Sequence, residues 1–136
     1  MNRADYDRYV ERFNARDYDA VLAHFAEAFE LVFAGYVFRT PAEVRRLYGF
    51  LHDHVRESVS VRSFVSDGRM VALEADVTLT AVKDLTPQAL AAQGLSRLVT
   101  LKAGAVAVIP QFIHYHLDAH GKIVRALCAV YEPPRD

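Results

Sequence analysis

The sequence is poor in cysteine, with a single one, Cys128, among 136 residues. One thiol cannot form a disulfide within the chain, and the spacing of Cys and His matches no zinc-binding pattern. We therefore expect a protein of a reducing compartment, the cytoplasm, that holds no metal ion and uses no other cofactor.

Net charge and long apolar runs are also lacking. The 16 basic and 17 acidic residues give a formal charge of −1 at pH 7, which argues against a partner such as nucleic acid or a membrane surface. The longest stretch without a charge, residues 103–117, is shorter than the roughly 20 apolar residues that cross a bilayer. Residues 1–7 are charged and lack the apolar core of a signal peptide.

Hydrophobic residues, in contrast, make up 52% of the chain. A chain of this length forms one domain, residues 1–136, and buries roughly two thirds of the surface that its unfolded form exposes. The surplus of apolar residues is a first indication that apolar side chains surround an internal cavity rather than fill the whole interior.

The first half of the chain predicts three helices. Apolar residues recur at i, i+3, i+4 and i+7 across residues 6–13 and again across 18–25, which places each set on one helix face. Residues 40–43, TPAE, are typical of a helix start, and residues 44–55 carry the apolar stripe of the third helix. Residues 30–39, rich in Phe, Val and Tyr, predict a short strand pair.

The second half predicts strands. Their apolar residues alternate with polar ones, most clearly in residues 70–82. The predicted strands are residues 58–65, 70–82, 95–101, 105–117 and 123–131, with a short helix at 86–93. This order of elements predicts an α+β fold, with helices grouped against one face of a curved sheet.

Three motifs, in this order, resemble those of a known family. Residues 8–19, RYVERFNARDYD, combine an aromatic helix with Asn-Ala-x-Asp and a second helix; residues 22–27 are LAHFAE, and residues 118–124, DAHGKIV, form a last hairpin turn. The chain resembles the nuclear transport factor two-like superfamily, in the branch of SnoaL-like polyketide cyclases and ketosteroid isomerases. The resemblance implies a cystatin-like cone, with three N-terminal helices packed on a strongly curved, mostly antiparallel sheet around an apolar pocket.

The resemblance also implies roles for two tyrosines. Tyr9 matches the tyrosine with which ketosteroid isomerases donate a hydrogen bond to an oxyanion, and Tyr48 stands where these enzymes have a second, supporting tyrosine. A phenol suits this role because it is a neutral donor at neutral pH. Both tyrosines also belong to regular apolar helix faces, so the alternative is that they are ordinary core residues.

Several acid–base positions of the family are apolar here. The general base of the isomerases falls at Phe33 and their second oxyanion donor at Ile113, which argues against ketosteroid isomerase activity because neither side chain moves a proton. The aspartate of the cyclases falls at Cys128, and their histidine at His114 or at Ile113, depending on how the last turn is counted.

The candidate site follows from these matches. The predicted catalytic residues are Tyr9, Tyr48 and His114, and the predicted substrate contacts are Phe33, Ile113, Tyr115 and Cys128.

Other polar residues have two interpretations each. Glu74 and Asp76, with Arg62, are the strand residues able to mimic the Asp-Arg-Asp trio of limonene epoxide hydrolases, or they lie on the solvated face of their strand. His114 and His116 share a strand face, as a metal pair or within a subunit interface.

Two hypotheses for the function stay open. The first is a cofactor-independent isomerase, cyclase, dehydratase or hydrolase acting on a small apolar molecule that is steroid-, polyketide- or terpene-like. The alternative is a non-catalytic small-molecule-binding or dimerisation module. A homodimer is expected for either, because the open sheet face would otherwise expose Phe112 and Leu127. Residues 83–101 are numerous enough to cover the mouth of the pocket.

Overall fold

A computed structural model describes residues 1–132 of the chain, and residues 133–136 of the predicted domain lie outside that range. The elements in chain order are α1 (Arg3–Asn14), α2 (Tyr18–Leu22), β1 (Phe25–Phe33), β2 (Tyr36–Phe38), α3 (Pro41–His54), β3 (Val55–Ser66), β4 (Met70–Ala81), α4 (Pro87–Ala92), β5 (Val106–Leu117) and β6 (Ile123–Val130). The predicted α+β class, with helices packed on a curved, mostly antiparallel sheet, is confirmed.

The six strands form one sheet in the order β2-β1-β6-β5-β4-β3. All neighbours are antiparallel except β1 and β6, which run parallel although they come from the two ends of the chain. Register shifts interrupt the pairing of β3 between Val61 and Ser63 and that of β1 between Phe25 and Glu30. Irregularities of this kind bend a sheet, and the concave face receives α1 and α3.

Helix starts follow the sequence signals closely. The Asn2 side chain accepts from the Asp5 N–H while the Asp5 carboxylate accepts from the Asn2 N–H, a capping box that begins α1. In α3, the Thr40 side chain caps the first turn and Pro41 is the first helical residue, as predicted.

The second predicted helix is shorter than expected. It ends at Leu22, and Phe25, predicted to lie on its apolar stripe, is instead the first residue of β1 and pairs with Ile123 of β6. The spacing of Phe25, Phe29 and Leu31, all buried, fits the strand that starts there. The predicted strand start at residue 30 was therefore five residues late, because a short helix and a strand share this apolar segment.

Residues 82–105 connect β4 to β5 without the strand predicted at 95–101. Only Leu101 forms a bridge, to Leu85, and α4 lies between them. Leu85, Leu90 and Leu95 are buried and join a second apolar cluster with residues of α3 and β4. The segment is thus anchored by separate leucines rather than by backbone pairing.

Several apolar side chains on the outer sheet face are exposed to solvent. Phe112 and Val108 on β5 are 44% and 58% exposed, and Leu127 on β6 is half-buried. This face is the one for which the sequence predicts a homodimer, which stays a prediction.

We expect Leu90→Ala to lower the free energy of unfolding by about 2–5 kcal/mol, because the side chain is fully buried and its loss leaves a cavity. Val82→Ala, at a position 51% exposed in the same connection, is the control and should change stability by less than about 0.5 kcal/mol. Urea unfolding of the three proteins measures both values, and equal losses would show that Leu90 does not anchor the segment.

Candidate functional site

A cavity of about 400 Å³ lies between the concave sheet face and the helices. This volume falls in the range of small-molecule sites. Residues from α1, α3 and five strands line it, together with residues 97–99 of the connection between β4 and β5. The placement of that connection agrees with the expectation that it covers part of the mouth.

Most predicted site residues meet around this cavity. Six of them contribute to its lining: Tyr9, Tyr48, Phe33, Ile113, Tyr115 and Cys128. They come from α1, α3, β1, β5 and β6, so the fold alone brings them together. Whether they bind or transform a substrate stays a prediction.

His114 is not brought to the cavity. It is exposed on the outer sheet face, whereas its neighbours Ile113 and Tyr115 are buried and point inward. Successive side chains of a strand point to opposite faces, so His114 and the two inward residues cannot share a site. His116 also lies on the outer face, and His114 is therefore corrected from a cavity residue to a surface residue.

The carboxylates of β4 also face outward. Asp76 Oδ2 accepts a 2.8 Å hydrogen bond from Arg62 Nε, and the Tyr131 hydroxyl donates to Glu74 at 3.3 Å. Val77 and Leu79 of the same strand line the cavity. The solvated-face interpretation of Glu74 and Asp76 is the one that the structure supports.

Four tyrosines cluster in and beside the cavity. The hydroxyls of Tyr6 and Tyr115 share a hydrogen bond of 3.1 Å, and the Tyr9 ring packs edge-on against Tyr115. Burial raises the pKa of each of these three phenols and that of Tyr48 above the ordinary value. All four therefore stay neutral hydrogen-bond donors across the physiological pH range.

Glu57 is a cavity residue that the sequence analysis missed. Its side chain is only 11% exposed and is the one carboxylate among the lining residues within 1–132. The predicted strand began at Ser58, whereas β3 begins at Val55. A signal was present, because Val55, Glu57 and Val59 alternate with polar residues and place the glutamate on the apolar face.

Glu57 is held by a histidine at the end of α3. His52 Nε2 lies 2.9 Å from Glu57 Oε1, and His52 Nδ1 lies 2.6 Å from the hydroxyl of Tyr18 on α2. His52 is 3% exposed, the only buried polar residue of the described chain. The result is a line of hydrogen-bonded groups from the half-buried Tyr18 to the cavity.

The charge of Glu57 acts on the groups around it. Burial is the main cause of the raised pKa of Tyr48 and of Cys128, and repulsion from the Glu57 carboxylate is the next cause for both. An ionised Glu57 therefore favours the neutral forms of its neighbours.

Arg97 lies at the cavity mouth and is the one cation among the described lining residues. Its guanidinium lies 5.1 Å from the ring centre of Tyr36 and donates to the carbonyl of Ala34 at 3.4 Å. The Arg97 N–H donates to the Tyr36 hydroxyl at 3.0 Å. Ala34 and Gly35 both have positive φ in the turn between β1 and β2, and a Cβ on Gly35 would collide with the guanidinium.

Residues 1–132 contain neither a cluster of metal ligands nor a membrane-spanning helix. No group of three or more His, Cys, Asp or Glu side chains is arranged to hold a metal ion. No helix in this range has the length and apolar character needed to cross a membrane.

Comparison with known proteins supports this description of the fold. Residues 6–126 match the family described as the SnoaL-like domain. No curated protein sequence matches the chain.

Solved structures share the fold over most of the chain. A candidate polyketide cyclase from Xanthomonas campestris has 25% identity and a TM-score of 0.66, covering 88% of this chain and 82% of that one. One from Pseudomonas putida has 22% identity and a TM-score of 0.69, with coverages of 93% and 88%. The epoxide hydrolase/cyclase-like enzyme SalBIII, of pyran ring formation in salinomycin, has 17% identity and a TM-score of 0.69, with coverages of 93% and 87%.

Cys128 should react slowly with thiol reagents in the folded protein. Burial, and next the charge of Glu57, raises its pKa from 9.0 to about 12. The folded protein therefore has a roughly thousandfold smaller thiolate fraction than the unfolded chain at about pH 8. Labelling with iodoacetamide, followed by mass spectrometry, measures the rate in buffer and in urea. Equal rates in the two conditions would show that the thiol is not buried in the cavity.

Proposed function

The chain belongs to the SnoaL-like domain family, and we propose that it is a cofactor-independent acid–base enzyme that acts on a small apolar molecule. The observation that carries this proposal is Glu57, a carboxylate held by His52 at the wall of an otherwise apolar cavity. Burying a carboxylate at an apolar wall is unfavourable unless it is paired, and a carboxylate placed within reach of a bound molecule is a candidate general base.

Glu57 would act as the general base. With its Oε1 hydrogen-bonded to His52, the carboxylate is oriented while Oε2 is left to face a substrate. A substrate that fills the cavity would bring a C–H beside a carbonyl, or a hydroxyl, within reach of this carboxylate, which is the geometry that proton abstraction requires. The role differs from that of the isomerases' base only in its position, since Phe33 occupies the family's position.

The tyrosines would stabilise the charge that develops on the substrate. Tyr9 and Tyr48 line the same cavity as Glu57, and their hydroxyls are neutral donors because burial raises the pKa of both. Donors of this kind stabilise an oxyanion most strongly where water is excluded. Base and donors together are the minimum set for an isomerase, cyclase, dehydratase or hydrolase reaction.

The names of the structural neighbours support the same class of chemistry. Two are candidate polyketide cyclases and one, SalBIII, is an epoxide hydrolase/cyclase-like enzyme of pyran ring formation. These names favour a polyketide-like substrate, and we propose this class for the chain, with steroid- and terpene-like molecules as the other apolar classes that the family resemblance implies.

One observation favours a second function, a non-catalytic small-molecule-binding module. Three positions at which relatives have acid–base residues are Phe33, Ile113 and Cys128 here, and all three line the cavity. The apolar wall they form is suited to holding a ligand without transforming it.

Arg97 indicates a further chemical feature of the proposed substrate. A guanidinium fixed across the mouth by Tyr36 and Ala34 loses little freedom when it binds, and it recognises carboxylates and other oxygen acceptors. Glu57 repels an anion from its own part of the cavity. We therefore propose a substrate with an apolar body and an anionic or carbonyl end at the mouth.

Glu57→Gln should reduce catalysis by at least about 100-fold, because the amide keeps the shape of the side chain but cannot accept the proton. The assay is the uptake of deuterium from heavy water at the α-carbon of decalone, tetralone and progesterone, followed by mass spectrometry. Glu74→Gln, which changes a carboxylate on the outer sheet face, is the matched control and should leave the rate unchanged.

Three results would count against this proposal. Equal rates for wild type and Glu57→Gln would exclude Glu57 as the base, and a matching loss in Glu74→Gln would point to a general charge effect. Binding of the ketones without deuterium uptake would favour the non-catalytic function.

Decanoate should bind roughly two- to fivefold more tightly than decanol, because Arg97 pairs with its carboxylate at the mouth. Arg97→Gln should abolish this preference, and Gly35→Ala should weaken it by displacing the guanidinium. Gly121→Ala is the control for Gly35→Ala, since Gly121 also has positive φ but a Cβ there meets no neighbour. Calorimetric titration measures the affinities, and an unchanged preference in Arg97→Gln would contradict the assignment.

A further inference from the structure

Tyr18, His52 and Glu57 form a continuous line of hydrogen-bonding groups through the helical side of the molecule. Tyr18 is half-buried near the surface, His52 is 3% exposed and Glu57 lines the cavity. The two contacts between them, 2.6 Å and 2.9 Å, are short enough for proton transfer along hydrogen bonds.

A proton on Glu57 has no other evident way out while the cavity is occupied. A substrate that fills the cavity excludes water from the mouth side, and the remaining lining near Glu57 includes the apolar Val59 and Leu79. His52 itself is too buried to exchange a proton with solvent directly. The Tyr18 hydroxyl is the one group of the line with access to the surface.

The Tyr18 hydroxyl also has two acceptors within reach. It lies 2.6 Å from His52 Nδ1 and 3.3 Å from the carbonyl oxygen of Tyr48, to which it can donate. The hydroxyl can donate to Nδ1 when that nitrogen carries no proton, or it can accept from Nδ1–H and donate to the Tyr48 carbonyl, so the line has two arrangements.

We propose that Tyr18 and His52 are positioning residues that relay a proton between Glu57 and solvent. The proposal rests on the proposed function, in which Glu57 accepts and returns a proton.

The two arrangements differ by one proton. In the first, Glu57 is ionised, His52 Nε2–H donates to Glu57 Oε1, and the Tyr18 O–H donates to Nδ1. In the second, Glu57 is protonated and donates to Nε2, Nδ1–H donates to the Tyr18 oxygen, and Tyr18 donates to the Tyr48 carbonyl. Passage from the second to the first moves the Glu57 proton to Nε2 and the Nδ1 proton to Tyr18, and the former Tyr18 proton leaves to solvent. No ion stays behind on Tyr18 or His52 in either arrangement.

The relay can be tested without a substrate. The protein is labelled with nitrogen-15 at its histidines, and NMR measures how fast the His52 ring N–H exchanges with water. Tyr18→Phe keeps the ring that covers His52 and removes only the hydroxyl, so the relay predicts an exchange at least roughly tenfold slower than in wild type.

The opposite result identifies a merely structural role. If Tyr18 only covers His52, its replacement would leave the exchange rate unchanged or raise it, and either outcome overturns the proposal. Tyr131→Phe removes a hydroxyl on the outer sheet face, bonded to Glu74, and is the control expected to leave the rate unchanged. His52→Gln should remove the signal itself and so confirms its assignment.

A second measurement uses decalone that carries deuterium at its α-carbons. In ordinary water, wild type should lose the deuteron from Glu57 through the relay, whereas Tyr18→Phe should return it to the same molecule, giving at least roughly fivefold more retained label per turnover. Equal retention in the two proteins contradicts the relay. If Glu57→Gln leaves the exchange of ketones intact, the proposed function fails instead, and the N–H exchange alone decides on the relay.

Discussion

The hydrogen bond between His52 and Glu57 is the interaction on which the rest of the site depends. A carboxylate at an apolar wall needs a donor, since an unpaired buried charge is strongly unfavourable. The end of α3 supplies that donor five residues before the glutamate, across the junction of α3 and β3. This hydrogen bond thus fixes the end of α3 against β3, and the cavity between them keeps its shape.

The tyrosines follow from the same constraint. Around a buried negative charge, ionisable neighbours favour their neutral forms, and phenols offer donors without adding charge. Tyr48 stacks on His52 with 5.3 Å between ring centres. The tyrosine whose pKa the Glu57 charge raises therefore also helps to orient the His52 ring. Most of the cavity wall is consequently apolar, and its polar groups are few, among them the Glu57 carboxylate and the tyrosine hydroxyls.

Much of the fold could be predicted from the sequence because its signals are local. The Thr40 cap and the alternation of β4 depend on neighbours in the chain, and the cavity positions of Tyr9 and Tyr48 followed from the family resemblance. Glu57 was missed because its role depends on a strand start three residues earlier than predicted. The side that His114 faces depends on the parity of β5, which counting from a turn does not establish.

The parallel pairing of β1 with β6 has a consequence for how the chain acquires its structure. Phe25 pairs with Ile123, so the edge of β1 that faces β6 stays unpaired until the last strand is synthesised, whereas β4 and β5 can each pair with the strand that precedes them in the chain. Contacts between distant parts of a chain slow folding. During synthesis, β1 therefore has an unpaired edge until β6 has been made, and unpaired strand edges are prone to aggregation.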